Sequence, residues 1–263
     1  MSSVSIDIAG PHARISLQRP ERHNAFDDVV IADLTAAFEQ AGTHPGVRCV
    51  VLESSGPSFS AGADLGWMKR MADYSDEENR RDALALARLM QTVDACPRPV
   101  LAVVQGAAYG GGVGLVAACD IAIAADTAQF SLSEVRLGLI PAAISPYVIA
   151  AIGARACRRY FLTAERFSAA RALELGLVHE VVPASQLHET RDRMLATLAE
   201  GGPQAQVAAK ELIRVVSGRK PDAELSQWTA DRIAAIRAGA EGREGVRAFL
   251  EKRRAAWRGP SST

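Results

Sequence analysis

Apolar and polar positions alternate from the start of the chain, so that Val4 to Ile8 and Ala13 to Leu17 read as two short strands joined at Gly10-Pro11. The polar stretch Arg19-Pro20-Glu21-Arg22-His23-Asn24-Ala25-Phe26 breaks the alternation, and helical spacing then runs from Asp27 to Ala41 with a stop expected near Gly42. Cys49 to Leu52 is a short buried strand. A small helix holding Leu65 to Met71 is expected after the next loop, followed by a longer one from Asp76 to Ala95 with Ser75 as its N-cap. Pro97 and Pro99 end that helix and push Cys96 and Arg98 into extended backbone, so Val100 to Val104 reads as a strand.

From Val100 to Ala125 only Gln105 and Asp120 are strongly polar, and the run is longer than the ~20 apolar residues that span a bilayer. Five glycines (Gly106, Gly110, Gly111, Gly112, Gly114), the internal Asp120 and the lack of basic flanks mark it instead as strand, glycine turn, buried helix and a second strand, Ile121 to Ala124. From Ala154 the pattern is helical, interrupted by an apolar break at Leu177 to Val182. Further helices are expected near Ser185–Leu198, Gln204–Val216, Asp222–Ala238 and Glu244–Trp257. The front half is α/β and the back half helical, with no repeat or low-complexity linker between them.

The 263 residues allow one large domain or two small ones against roughly 100–200 residues per domain. Thirty basic and 30 acidic side chains cancel, which removes the electrostatic footprint of a nucleic-acid or anionic-membrane binder. Apolar residues at 48% and charged ones at 23% exclude disordered and fibrous classes. Cys49, Cys96, Cys119 and Cys157 are far apart and lie near no histidine cluster, so they read as free thiols in a reducing compartment. The opening MSSVSIDIAG has neither a basic region nor an apolar run; the mature chain is expected to start near Met1 and to be cytoplasmic.

Two segments offer backbone chemistry. Phe59-Ser60-Ala61-Gly62-Ala63-Asp64 precedes a helix, and Gly110-Gly111-Gly112 opens the buried one; free N–H groups at both could hold an oxyanion, or the small residues could serve packing alone. Glu134, in the otherwise uncharged Phe130-Ser131-Leu132-Ser133-Glu134-Val135, is either a buried acid with a raised pKa or a first-turn acid behind a capping Ser131 or Ser133. Gly112-Val113-Gly114-Leu115-Val116-Ala117 imitates a dinucleotide fingerprint, but Gln105 to Gly111 separates it from its strand and no nucleotide-binding half precedes it. The histidines form no metal constellation, and no G-x-S-x-G elbow is present.

Taken in order, Arg19-Pro20 through Asn24-Ala25, Phe59 through Asp64, Gly106 through Gly114 and Phe130 through Pro141 resemble the enoyl-CoA hydratase/isomerase, or crotonase, superfamily over nearly the whole chain. The resemblance implies an α/β crotonase-like spiral of ββα units over residues 1–200 and a helical C-terminal trimerisation region over 201–263, assembled as a homotrimer or a dimer of trimers. It implies an acyl-CoA thioester as substrate, with no separate cofactor, metal, nucleic acid or membrane. The backbone N–H groups of Ala63 and Gly111 would hold the thioester oxygen, and Glu134 would move protons. Arg22, His23, Ala25, Ala61, Asp64 and Leu65 would line the coenzyme A thioester site, together with Tyr109, Ser133 and Pro141. Phe249 and Lys252 resemble C-terminal residues that reach coenzyme A, often across a subunit boundary; they equally read as a core aromatic and a solvated lysine.

One departure matters. Hydratases of this family typically use two glutamates, and the first of these positions is Gly114 here, leaving Glu134 alone. A second departure is Ile140-Pro141-Ala142-Ala143-Ile144-Ser145-Pro146-Tyr147, where many relatives are glycine-rich after the proline. Together they resemble a bacterial branch acting on branched or carboxylated enoyl-CoA compounds such as 3-methylglutaconyl-CoA. The expected activity is hydration of a 2-enoyl-CoA; the alternatives are double-bond isomerisation by the single glutamate and a non-catalytic CoA- or RNA-binding relative.

Overall fold

A computed structural model describes residues 3–258; Met1, the expected start of the mature chain, and residues 259–263 of the expected C-terminal region lie outside these. The chain opens with the antiparallel pair β1 (Val4–Ala9) and β2 (His12–Leu17), then α1 (Asp28–Thr43). Three turns of one pattern follow. β3 (Cys49–Ser54), β4 (Ser58–Ser60), α2 (Leu65–Met71) and α3 (Asp76–Asp94) make the first; β5 (Val100–Val104), β6 (Ala107–Tyr109) and α4 (Gly111–Ala118) the second; β7 (Ile121–Ala125), β8 (Gln129–Ser131) and α5 (Ser145–Thr163) the third. β9 (Phe167–Ser168), α6 (Ala169–Leu175), β10 (Glu180–Val182) and α7 (Leu187–Glu200) complete the core, and α8 (Pro203–Val216), α9 (Ala223–Ala238) and α10 (Ala240–Leu250) extend it.

Each turn gives its first strand to a six-stranded sheet, ordered β1-β2-β3-β5-β7-β10, and its second to a four-stranded sheet, β4-β6-β8-β9. This is the expected α/β spiral of ββα units. Strands β3, β5 and β7 are parallel and apolar on both faces, as a doubly covered sheet requires. Val50 and Leu52 point into the main core, whereas Cys49, Val51, Leu101 and Val103 meet Leu187 and Leu195 of α7.

The corner between the two sheets is where the polar Gln105 belongs. Its side-chain amide reaches the carbonyls of Ser54, Gly56 and Ser58, each at 3.1 Å. Beside it an ideal Cβ on Gly106 would lie 2.0 Å from the Pro57 carbonyl oxygen, so successive corners stack backbone on backbone. The other polar residue of the apolar run, Asp120, accepts the Val100 N–H at 2.7 Å and Lys210 of α8 at 2.5 Å.

Several expected boundaries shift for physical reasons. Gly42 does not end α1; it lies inside the helix, where an ideal Cβ would be 3.1 Å from Pro97 Cδ, and the helix stops before His44 and Pro45. The segment expected to be a plain glycine turn contains β6, and α5 begins at Ser145 rather than Ala154, kinking at Gly153 (φ 75°). The last helix, expected from Glu244 to Trp257, runs earlier: α10 ends at Leu250, and Lys252 reverses the chain with φ 53°.

Gly106→Ala is expected to cost about 1–3 kcal/mol, because the added methyl meets a carbonyl oxygen that cannot rotate away. Urea unfolding of the variant against the parent protein measures this.

Candidate active site

Three chain segments build the site. In the first, a 3-10 turn at Pro20–Arg22 is followed by His23 and Asn24 with φ of 51° and 53°. Asn24 fits this left-handed backbone because its buried side chain is fully used. Its amide donates to the carbonyls of Ser55 and Ser58 at 2.8 Å each, and its oxygen accepts the Arg19 N–H at 2.8 Å. The following residues then pair with the loop before α2: Ala61 N–H donates to His23 O (2.9 Å), Phe26 N–H to Gly62 O (2.7 Å) and Asp64 N–H to Phe26 O (2.7 Å). Ala63 lies between these bonds, exposed, and its N–H has no acceptor among the described residues.

Asp64 fixes that loop. Its Oδ1 accepts from the N–H groups of Gly66 (2.8 Å) and Trp67 (3.2 Å) at the start of α2, and its Oδ2 meets Arg22 at 2.9 Å and Arg19 at 3.4 Å. Burial alone would raise its pKa, but the Arg22 guanidinium and the two N–H groups outweigh burial and hold the carboxyl below its ordinary value. Asp64 is a charged N-cap.

The second segment is the glycine run. Gly110 has φ 51° and donates its N–H to Ser131 O at 2.8 Å, leaving Gly111 as the first residue of α4, with an N–H that lacks an intrahelical acceptor. The two segments touch directly. An ideal Cβ on Gly62 would lie 3.0 Å from the Tyr109 carbonyl oxygen, and one on Gly111 would lie 2.6 Å from the Phe26 ring. Phe26 therefore spaces the loops that carry the two free N–H groups.

The third segment is the 3-10 turn Glu134–Leu137 after β8. Ser133 makes no capping bond and the Ser131 hydroxyl donates to Ala164 O at 3.3 Å, so Glu134 is no capped first-turn acid. Glu134 Oε2 is buried without a hydrogen-bond partner, and Oε1 lies 3.2 Å from where a Cβ on Gly110 would be. Burial pushes its carboxyl up, opposed only by its own backbone N–H. A protonatable group thus faces the glycine turn that starts α4.

Positions 112 and 114 resolve the dinucleotide look-alike. Both glycines lie inside α4, with ideal Cβ atoms meeting Ser60 O at 2.9 Å and Ile144 Cγ2 at 2.2 Å, so they permit close packing. Phe26 as spacer and Ile144 beside Gly114 escaped the sequence patterns; both are single apolar residues whose role exists only across loops.

Of the expected site residues, Ala61, Ala63, Asp64, Tyr109, Gly111 and Glu134 are joined by these contacts, Arg22 through Asp64, and Ala25 through its own turn, where its N–H donates to Arg22 O at 3.1 Å. His23 Nδ1 lies 3.0 Å from the Ser58 hydroxyl. Leu65 is exposed at the start of α2, Pro141 is buried after Glu134, and Ser133 is half-buried. Phe249 and Lys252 are not joined to this site within the chain: Phe249 is 81% exposed, and α10 packs on α8 and α9. Phe249 is therefore not a core aromatic of its own subunit. No cluster able to hold a metal, and no helix long and apolar enough to cross a membrane, occurs among the described residues.

Comparison with known proteins gives one consistent result. The profile of a family described as enoyl-CoA hydratase/isomerase matches residues 10–260. Enoyl-CoA hydratase ACTT6 of Alternaria alternata is 37% identical over 239 residues, covering 90% of this chain and 77% of that protein. The crystal structure of an enoyl-CoA hydratase from Shewanella pealeana superposes with a TM-score of 0.94 at 43% identity, covering 97% of this chain and 96% of that one. Pseudomonas aeruginosa AtuE superposes with a TM-score of 0.94 at 35% identity, over 98% of this chain and all of that one (100%).

Because burial raises the Glu134 pKa, this group's contribution to stability is fully present below its ordinary value of 4.5 and is lost as pH rises through the raised folded value. Glu134→Gln is therefore expected to melt above the parent protein at pH 8, with the difference shrinking toward pH 5. A melting difference independent of pH would contradict a buried ionisable Glu134.

Proposed function

The chain belongs to the enoyl-CoA hydratase/isomerase family, and on that premise we propose that it is an enoyl-CoA hydratase that adds water to a 2-enoyl-CoA thioester with Glu134 as its single acid–base group. The observation that carries this is the Glu134 carboxylate, whose Oε2 is buried without a hydrogen-bond partner, beside the glycine turn that presents the Gly111 N–H. The thioester oxygen takes the N–H groups of Ala63 and Gly111, which gain strength as negative charge develops on it. Glu134 accepts a proton from water, the hydroxide oxygen bonds to the β-carbon, and the electron pair of the double bond moves toward the oxyanion. Collapse of the enolate then takes that proton back from Glu134 onto the α-carbon. Atoms and charge balance without any further group, so the proposal requires no cofactor beyond the coenzyme A of the substrate.

The resemblance behind the acyl assignment favours a branched or carboxylated chain such as 3-methylglutaconyl. The apolar side chains exposed on the C-terminal helices, Ile213 at 66% and Phe249 at 81%, support the proposed homotrimer or dimer of trimers, in which Phe249 and Lys252 would reach a neighbour's coenzyme A. The four free cysteines are in keeping with a cytoplasmic location. A second activity, isomerisation, is favoured by one observation: Ile144 fills the space beside Gly114, so position 114 has no room for a second carboxylate. Retention of Glu134 and of both free N–H groups argues against a relative without catalysis.

Mass spectrometry of products from crotonyl-CoA, 3-methylglutaconyl-CoA and a 3-enoyl-CoA separates the two activities. Hydration gains the mass of one water, and Glu134→Gln is expected to lower its rate roughly 10²–10⁴-fold. A shifted double bond without added water would make the enzyme an isomerase. The base must be ionised, so kcat/KM is expected to fall with decreasing pH, with its midpoint above the ordinary glutamate value of 4.5; a midpoint at or below that value would remove Glu134 from the rate profile.

A further inference from the structure

The face of α4 that starts at Gly111 continues one helical turn on at Gly114, and there the bare backbone meets a wall. An ideal Cβ on Gly114 would lie 2.2 Å from Ile144 Cγ2 and 3.3 Å from Met90 Sδ. Ile144 is 2% exposed, and Met90 is fully buried. One further turn along each of the three helical segments, Asp94 follows Met90, Ala117 follows Gly114 and Tyr147 follows Ile144. These three next-turn residues line a cavity of about 520 Å³, together with the apolar Val116, Ala151 and Leu177. Ile144 and Met90 therefore lie one helical turn short of this cavity, between it and the Gly111 end of α4.

We propose that Ile144 sets the acyl-chain length of this enzyme, ending the acyl pocket one helical turn beyond the Gly111 N–H and closing it off from the second cavity. The proposal rests on the acyl-CoA reading of the Glu134 site. Ile144 projects from the start of α5, so trimming its side chain changes the partition without touching Glu134, Ala63 or Gly111. The space beyond has an apolar wall of Val116, Ala117, Ala151 and Leu177 along which a straight apolar chain can lie, and a polar one of Asp94, Tyr147 and His179. Asp94 in the same cavity opposes a terminal carboxylate. The chains admitted by opening the partition are accordingly longer, unbranched and uncharged.

Unreactive saturated thioesters keep the test apart from catalysis. Calorimetric titration of butyryl-, hexanoyl- and octanoyl-CoA into the parent protein, Ile144→Ala, Ile144→Val and Ile144→Ala with Ala117→Leu reads the length preference directly. Ile144→Ala is expected to shift the ratio of octanoyl to butyryl affinity on the order of tenfold toward the longer chain, since each buried methylene adds roughly fourfold. Ile144→Val, a smaller truncation that keeps most of the core contact, is expected to shift it by less. Ala117→Leu on the Ile144→Ala background is expected to cancel the shift by refilling the cavity. Butyryl-CoA bound by all variants with an unchanged length ratio overturns the proposal while leaving the acyl-CoA reading in place. Failure of the parent protein to bind any of the three thioesters overturns that reading, and this proposal with it.

Discussion

Free backbone N–H groups from two chain segments can face one point only where the segments pack more closely than side chains at the contacts would allow, and close approach of this kind shapes much of this molecule. Gly62 faces the Tyr109 carbonyl, Gly111 faces the Phe26 ring and Gly106 faces the Pro57 carbonyl, in each case closer than a Cβ would allow. The ββα spiral produces these approaches: every turn passes from the large sheet to the small one through a corner, and the corners stack. Gln105 and Asn24 then satisfy the carbonyls that such tight corners leave without strand partners, which is why polar side chains interrupt otherwise apolar or small-residue stretches.

Within this frame two carboxylates take opposite roles. Asp64 is surrounded by N–H groups and arginines and stays ionised, holding the start of α2 and with it Ala63. Glu134 has burial opposed only by its own backbone N–H, with Oε2 unpartnered, so its carboxyl holds a proton more readily. Leaving a buried oxygen unsatisfied costs stability. The strand before it offsets that cost and limits its movement: Phe130 is fully buried and stacks on Phe167 at 5.6 Å, and the Gly110 N–H is tied to Ser131 O.

Much of the frame was legible in the sequence because it is written in local signals. Pro97 and Pro99 gave the end of α3, Ser75 its N-cap with a capping box to Glu78, and the alternation around Gly10-Pro11 the opening hairpin. The candidate N–H groups and Glu134 were also visible as residues, although packing and capping accounts of them remained open until the contacts were known. What local signals could not carry was the second sheet, whose strands β4, β6 and β8 are three residues each and too short for a period to show. Gly42 misled because a glycine needed for packing against Pro97 looks the same in sequence as one that ends a helix. Phe249 is exposed on α10, and its local pattern is the same as that of an aromatic facing a core.

The exchange of side-chain volume between positions 114 and 144 links the fold to the stereochemistry of the proposed hydration. A carboxylate at 114 would need the space that Ile144 occupies, so Ile144 and an acid at that position exclude one another in this backbone. In the proposed hydration, with no room for an acid at position 114, Glu134 is the carboxylate left to activate water. The proton that leaves water and the proton that reaches the α-carbon then pass through one carboxylate. Under that proposal hydroxyl and hydrogen arrive on the same face of the double bond, an outcome that a single fixed base imposes without any contact to the acyl chain beyond the thioester.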